Sequence, residues 1–571
     1  QEDWQTEISL EKINSSSDVE ELLPSTSKEV VCLPPTSKTP TPSAGDTVRP
    51  QPTPSKQNKG RPHSGRGTKR SASAMSVNDG TQRWNDCSVE DEVPALPNFF
   101  LKRNPGAQLV MDRIYSPLQL FQLFFTGSVV DTIVKNTNTF ARMRSEAGKH
   151  FLWLPLKAEE LYSYIALVIY MGLLGAKNII DYWSGKEIYC LPFPKSVMSI
   201  SRFQAISWNL HICDPEDDRE NSQKKGTQAY DRFFKIKPLY NDIVSACKTY
   251  FHPDRQLAVD ERMVATRARI GIKQYMKDKP TKWGYKLYVL ADSACGFTWN
   301  FFVYEGKYSL ATGKGLSYDS VMQLLDLSLL GKGYQLFIDN FYTSPCLFMD
   351  LLAKKTLACG TIRTNRRGFP RTKANDLSRR DQRGTIRWLR DGKLLFVKWM
   401  DTREVTVCST MHKAYDGDAV LRRVKNPEGE WERRRIPIPA AVKDYNKYMG
   451  VVDLSDALIG YYNVLHKTTK WYKTFFPHFV DIAVVKFHSP PASLQSSEQK
   501  SSQFRERLVS ELARAIHISC PRAVCIHIAS GEPCCPEYFG SDATSGRRVC
   551  ALNCFRKWHT DGHKFATDEN C

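Results

Sequence analysis

With 571 residues and 80 Lys+Arg against 61 Asp+Glu, the chain is long enough for several domains and carries a formal net charge of +19. That excess suits a polyanionic partner and says little about fold. The longest apolar stretch, Tyr164 to Gly175, is too short to span a bilayer and reads as a buried helix, so no membrane partner is expected.

Residues 1–96 are rich in Ser, Thr and Pro, as in Leu33-Pro-Pro-Thr-Ser-Lys-Thr-Pro-Thr-Pro-Ser43, and are expected to be disordered. Within them Lys59-Gly-Arg-Pro-His-Ser-Gly-Arg-Gly-Thr-Lys-Arg70 reads equally as a nuclear-import signal, a DNA-contacting arm or a solvated basic linker. The first residues, Gln1-Glu-Asp-Trp-Gln, do not read as a signal peptide, so an intracellular chain with reduced thiols is expected. From 97 to 254 the apolar spacing is helical, in Leu118 to Phe125, Glu159 to Leu174, Ser199 to Leu210 and Tyr230 to Tyr250. Such a bundle binds, dimerises or braces.

The texture changes at residue 255. Gln256 to Val259, Gly284 to Ala291 and Thr298 to Tyr304 read as strands, followed by a helix from Tyr318 to Leu329 and a strand from Tyr334 to Ile338. The order β, β, β, α, β is that of an RNase H-like fold, whose first part is assigned to 255–368. Residues 369–437 read as a basic insertion, 438–456 as the last part of the core, and 457–518 as a second part of the helical domain. Within the latter a loop is expected from Ser489 to Ser502 and a helix from about Gln503 to Ile518. Residues 519–571 form a Cys-rich tail. The fold class expected is therefore multidomain α/β.

Asp260 and Asp339 lie at the ends of apolar, strand-like runs, and Asp453 opens a helix with Asp456 on the same face. Carboxylates gathered from strand ends suit a two-metal phosphoryl-transfer site holding Mg²⁺ or Mn²⁺. Each has a structural alternative: Asp339 as a turn residue, Asp453 and Asp456 as helix caps. Asp260 competes with Glu261, since strand alternation turns only one of them to the site. Basic residues surround these acids. Arg363, Arg366, Arg367, Arg371 and Lys373 follow the fourth strand, and Arg267, Arg269 and Lys273 to Lys286, including Lys282, follow the first acid. Lys467, Lys470 and Trp471 lie beyond Asp456. These groups suit phosphate contact and base stacking, or a solvated surface and a core tryptophan.

Several short motifs, taken together, resemble piggyBac-type transposases. They are Leu257-Ala-Val-Asp-Glu261, Lys282-Trp-Gly-Tyr-Lys286, Leu336-Phe-Ile-Asp-Asn-Phe-Tyr-Thr-Ser344, Cys359-Gly-Thr-Ile-Arg-Thr-Asn-Arg366, Asp444-Tyr-Asn-Lys-Tyr-Met-Gly450, Val452-Asp-Leu-Ser-Asp456 and Lys467-Thr-Thr-Lys-Trp471. The resemblance implies catalytic acids at Asp260, Asp339 and Asp453, with Asp456 as a fourth, metal held by the first three, and DNA contacts at Arg363, Arg366, Lys467, Lys470 and Trp471. It implies cut-and-paste chemistry through hairpin ends into TTAA targets, recognition of terminal inverted repeats, a homodimer and a nuclear location. The tail departs from the family's paired CxxC pattern; Cys550, Cys554, His559 and His563 have a spacing that would suit zinc, or the tail is degraded. A domesticated, element-derived DNA-binding protein with weak or no cleavage is the alternative function. A chromatin or RNA-binding scaffold with structural acids is the third.

Overall fold

The computed structural model describes residues 82–110, 112–149, 151–187, 190–306, 312–426, 429–462, 468, 470–485 and 494–519. After two short strands, β1 (Phe100–Leu101) and β2 (Gly106–Ala107), the helical run comprises α1 (Pro117–Phe121), α2 (Gly127–Glu146), α3 (Ala158–Leu174), α4 (Pro192–Val197), α5 (Ile200–Asn209), α6 (Pro215–Gln223) and α7 (Lys237–Thr249). Side-chain caps fix several starts. Ser116 forms a capping box with Gln119, and Thr126, Ser199 and Asp214 accept N–H groups of the first turns they precede. The helix expected from Tyr230 begins only at Lys237, where Pro238 occupies the first turn. α3 is buried from Ser163 to Gly172 without a break, as befits a helix apolar on all sides.

The sheet follows. β3 (Phe251–His252) leads into β4 (Gln256–Ala265), β5 (Gln274–Tyr275), β6 (Trp283–Asp292) and β7 (Thr298–Val303). Then come α8 (Leu316–Leu324), α9 (Leu327–Leu330), β8 (Gly331–Lys332), β9 (Gln335–Ile338), α10 (Pro345–Ala353) and β10 (Leu357–Thr361). β6 pairs antiparallel with β4 and β7, whereas β9 pairs parallel with β4, and β10 parallel with β9. β4 thus lies at the centre, with β9 brought beside it by a helical crossover. β4 is also longer than its apolar run, because Asp260, Glu261 and Arg262 continue the strand and each finds an oppositely charged partner.

The stretch expected as a separate insertion mostly extends this sheet. β11 (Ile386–Asp391), β12 (Leu394–Met400) and β13 (Glu404–Ser409) add to β10 in the order β10-β13-β12-β11, completing nine strands. Their burial explains the join: β12 is buried at every position. Only the ribbon of β14 (Ala419–Lys425) and β15 (Trp431–Pro437) stands apart.

Order also begins earlier than residue 97. Trp84 is fully buried, donates through Nε1 to the Thr372 carbonyl at 3.1 Å and packs against Phe369. Asp91 accepts both Nε and Nη2 of Arg390, at 2.6 and 2.7 Å. One tryptophan in a polar segment leaves no periodicity to detect, so composition misses it.

The chain closes with α11 (Ala440–Tyr448), α12 (Val451–Gly460), α13 (Phe475–Val485) and α14 (Leu494–Ser519). α14 starts inside the loop expected from Ser489 to Ser502. It packs on α3 and α1, and Glu511 accepts the Leu118 N–H at 2.8 Å at the electropositive start of α1. No helix among the described residues is long and apolar enough to cross a membrane. The basic run at 59–70 and Cys550, Cys554, His559 and His563 lie outside the described residues.

A candidate carboxylate site between two parallel strands and a helix

The register of the parallel strands sets the first two acids. Val259 of β4 is level with Ile338 of β9, so Asp260 and Asp339 are the next residues on neighbouring strands. β9 ends there, and Asp339 opens a turn. Its Oδ1 accepts the Phe341 N–H at 2.9 Å, and its carbonyl accepts the Thr343 N–H at 3.1 Å and the Thr343 hydroxyl at 2.8 Å. Gly360 of β10 makes this turn possible. A Cβ there would lie 2.4 Å from the Ile338 carbonyl oxygen and 2.3 Å from Thr343 Oγ1, closer than carbon can approach.

Strand alternation resolves Asp260 against Glu261. Asp260 faces the site, and Glu261 turns to the other side, where it is buried against Lys286 at 3.0 Å. The Lys286 ammonium also lies over the rings of Tyr288 and Phe341.

Helix α12 supplies the remaining acids, and two ionic rungs tie it to β4. In the first, Lys279 Nζ bridges Asp260 Oδ2 at 2.6 Å and Asp453 Oδ1 at 3.2 Å. In the second, Arg262 Nε meets Asp456 Oδ1 at 2.5 Å, while its Nη2 reaches Ser455 Oγ at 2.9 Å and Thr298 Oγ1 at 3.1 Å. Asp260 and Arg262 are two apart on a strand, and Asp453 and Asp456 three apart on a helix, so each pair shares a face. Asp456 therefore engages a buried arginine.

Burial sets the electrostatics. It pushes the Asp260 carboxyl up to about 7, with Lys279 opposing and Glu261 and Asp453 adding to the rise. It likewise raises Asp339 to about 6, helped by the Asp260 charge and opposed by the N–H groups of Phe341 and Tyr342. Asp456 is also raised by burial, against Arg262. For Lys279, burial works to lower the pKa, but Asp260 and Asp453 outweigh it and keep the ammonium charged.

Among the described residues no three His, Cys, Asp or Glu side chains stand in a group that could hold a metal ion. The donors are nevertheless the hard carboxylate oxygens that divalent cations prefer, and two of them already share one cation, the Lys279 ammonium. In kind and charge, the residues fit such an ion.

The residues the resemblance assigns to DNA contact, with Arg367 and Lys282, occupy three settings. Arg363 Nε donates to Asn340 Oδ1 at 2.9 Å, and Arg366 Nη2 donates to the carbonyls of Asn340, at 2.8 Å, and of Phe341. Both arginines therefore clasp the turn that carries Asp339. Arg367, Lys282 and Lys470 present exposed side chains, Lys282 at the neck of the β5–β6 hairpin beside the exposed Trp283. Trp471 is half-buried and packs edge-on against Phe233, Tyr285, Tyr472 and Phe475. Lys467 lies outside the described residues. Sequence reasoning passed over Lys279 and Arg262. Arg262 had a signal, its two-residue spacing from Asp260; Lys279 had none beyond membership of a basic segment.

A nine-stranded sheet that carries Asp260 within one strand and Asp339 just past the end of its parallel neighbour, flanked by helices from both sides of the sequence, has the multidomain α/β fold of a transposase. A family model described as Transposase IS4 matches residues 116–485, a span that holds all four aspartates. The chain belongs to this family, among its piggyBac-type members. The human PiggyBac transposable element-derived protein 3 is 26% identical over 364 residues, covering 63% of this chain and 58% of that protein. The human PiggyBac transposable element-derived protein 2 is 24% identical over 387 residues, covering 67% and 62%. The chain thus spans about three-fifths of the length of these relatives. A piggyBac transposase, solved by cryo-EM as a synaptic complex with hairpin DNA, superposes with a TM-score of 0.59 at 22% identity, over 74% of this chain and 85% of that one.

Proposed function

We propose that the chain is a cut-and-paste DNA transposase of the piggyBac type, with an RNase H-like core that breaks and joins phosphodiesters. The observation that carries this reading is the level placement of Asp260 and Asp339 on parallel strands, with Asp453 of α12 tied to Asp260 through Lys279. These three would hold the divalent ions, Mg²⁺ or Mn²⁺, which when bound lower the cost of the attacking and leaving oxygens. Asp456 and Arg262 fix the helix that carries Asp453. Arg363, Arg366, Arg367, Lys282, Lys467, Lys470 and Trp471 supply phosphate and base contacts. Each step exchanges one P–O bond for another. Water opens an element end, the freed 3′-hydroxyl attacks the opposite strand to close a hairpin, the hairpin reopens, and the 3′-hydroxyl joins a TTAA target. No covalent protein intermediate is required. Handling two element ends together calls for a homodimer acting in the nucleus, and the Cys550, Cys554, His559 and His563 set is a zinc candidate.

The second reading is a domesticated, element-derived DNA-binding protein with little cleavage. What favours it is Lys279, whose ammonium sits between two of the acids. One assay separates the two. DNA ends flanked by TTAA are incubated with increasing Mg²⁺, and nicks and hairpins are scored for the parent and for Asp339→Ala. The first reading expects Mg²⁺-dependent products from the parent and only background from Asp339→Ala. Absence of products from both, with salt-dependent DNA binding retained, selects the second.

A further inference from the structure

The ribbon β14–β15 has two faces that differ in charge. Residues directly opposite in an antiparallel pair share a face. One face carries Val420, Arg422 and Val424 opposite Ile436, Arg434 and Glu432. Its charges are matched: Arg422 Nε lies 3.5 Å from Asp401, Arg434 pairs with Glu432 at 2.5 Å, and Ile436 is buried. This is the more covered face: Val420, Arg422 and Val424 are half-buried, whereas Arg434 and Glu432 are exposed.

The other face sets Leu421 opposite Arg435, Arg423 opposite Arg433 and Lys425 opposite Trp431. All six are exposed, Trp431 by 61%. The face holds four cations and no acid, and none of the four makes an ion pair among the described residues. Arg423 and Arg433 stand directly across from each other, an arrangement that destabilises an isolated ribbon and that a polyanion relieves. Arg423 and Lys425 also lie over the Trp431 ring, at 5.8 and 5.3 Å.

We infer that this face of the ribbon, with Arg423, Lys425, Arg433 and Arg435 around Trp431, binds duplex DNA at a site separate from the carboxylates. Charge complementarity and shape both favour that partner. Strands of seven residues extend roughly 23 Å, and the major groove of B-form DNA admits a two-stranded ribbon. The deep, narrow major groove of an RNA duplex does not. The inference rests on the reading of the chain as acting on DNA.

The test uses the full chain in metal-free buffer, so that no cleavage is needed, with a labelled duplex of arbitrary sequence followed by fluorescence anisotropy across a salt series. The triple variant Arg423→Gln, Arg433→Gln, Arg435→Gln keeps its thermal melt, because all three side chains are exposed. Its slope of log affinity against log salt is expected to be shallower by about 2 to 3, with affinity at about 0.1 M salt down at least about tenfold. Trp431→Ala is expected to weaken binding with little change of slope. If the parent binds duplex and the triple variant matches it in slope and affinity, the ribbon assignment is overturned while the DNA reading stands. If the parent binds no duplex, both fall. Single-stranded RNA or an acidic peptide held more tightly than duplex, through these arginines, also overturns the assignment.

Discussion

Two rungs join β4 to α12, and they are built from different materials. Asp260 and Asp453 are linked by a lysine that belongs to neither element and arrives from the segment beyond β5. Arg262 and Asp456 meet directly, and the arginine side chain is only 2% exposed. Strand and helix spacing are the same at both levels, so the contrast lies in the cation. A buried guanidinium belonging to the strand itself fixes the distance between the two elements. A lysine reaching in from a loop can leave without unmaking either. A cluster of acids can thus be assembled ahead of any ligand: one permanent pair sets the spacing, and a replaceable one holds the acids together.

The largest effect should come from breaking the permanent rung. Asp456→Ala leaves Arg262 buried with no carboxylate, and a loss of about 3–5 kcal/mol in unfolding free energy is expected from chemical denaturation. Arg262→Met should cost less, because the Asp456 side chain is 28% exposed and can hydrate. A parent-like midpoint for Asp456→Ala would remove the distinction between the rungs.

The replaceable rung should respond in the opposite sense once metal is added. Lys279→Met leaves Asp260 and Asp453 facing each other uncompensated, for a metal-free loss of about 1–2 kcal/mol. Titration calorimetry with Mn²⁺ should then show several-fold tighter binding than in the parent, since the competing ammonium is gone. Unchanged Mn²⁺ affinity would mean that the lysine does not hold the cation's place.

The last effect is a pH dependence. The Asp339 carboxyl is raised from 3.8 to about 6, chiefly by burial and then by Asp260. The folded state therefore binds more protons than the unfolded state in that window. Metal-free stability should fall as pH rises from about 4, the Asp339 share of the fall ending near 6 and the Asp260 share near 7. Asp339→Asn should flatten this fall, read as urea midpoints across the range. An equally steep fall in Asp339→Asn would assign it to other groups.

Much of this site could be read from residue order. Asp339 closes an apolar run, and Asp453 and Asp456 are spaced for one helix face, because local periodicity carries that information. Alternation said that one of Asp260 and Glu261 must face away, and the Lys286 pairing shows which. What sequence could not reveal depends on distant contacts. Lys279 is 174 residues from Asp453, and nothing local separates it from Lys277 or Lys282. β11 to β13 read as a separate unit because strand pairing with β10 leaves no mark on either sequence. Gly360 is an ordinary strand glycine until Thr343 folds against it.

The segment from Trp84 to Asp91 has a consequence for where this molecule can be cut. β11 is the last strand of the sheet, and a bare edge strand invites pairing with other chains. Asn85 meets that edge with two backbone hydrogen bonds to Trp388, at 2.7 and 2.9 Å, and the Asp86 carbonyl accepts the Trp388 indole N–H at 2.9 Å. Composition would recommend trimming everything before residue 97. A chain trimmed there would lose the cover over β11 and leave Arg390 without Asp91, exchanging a polar leader for an aggregation-prone edge.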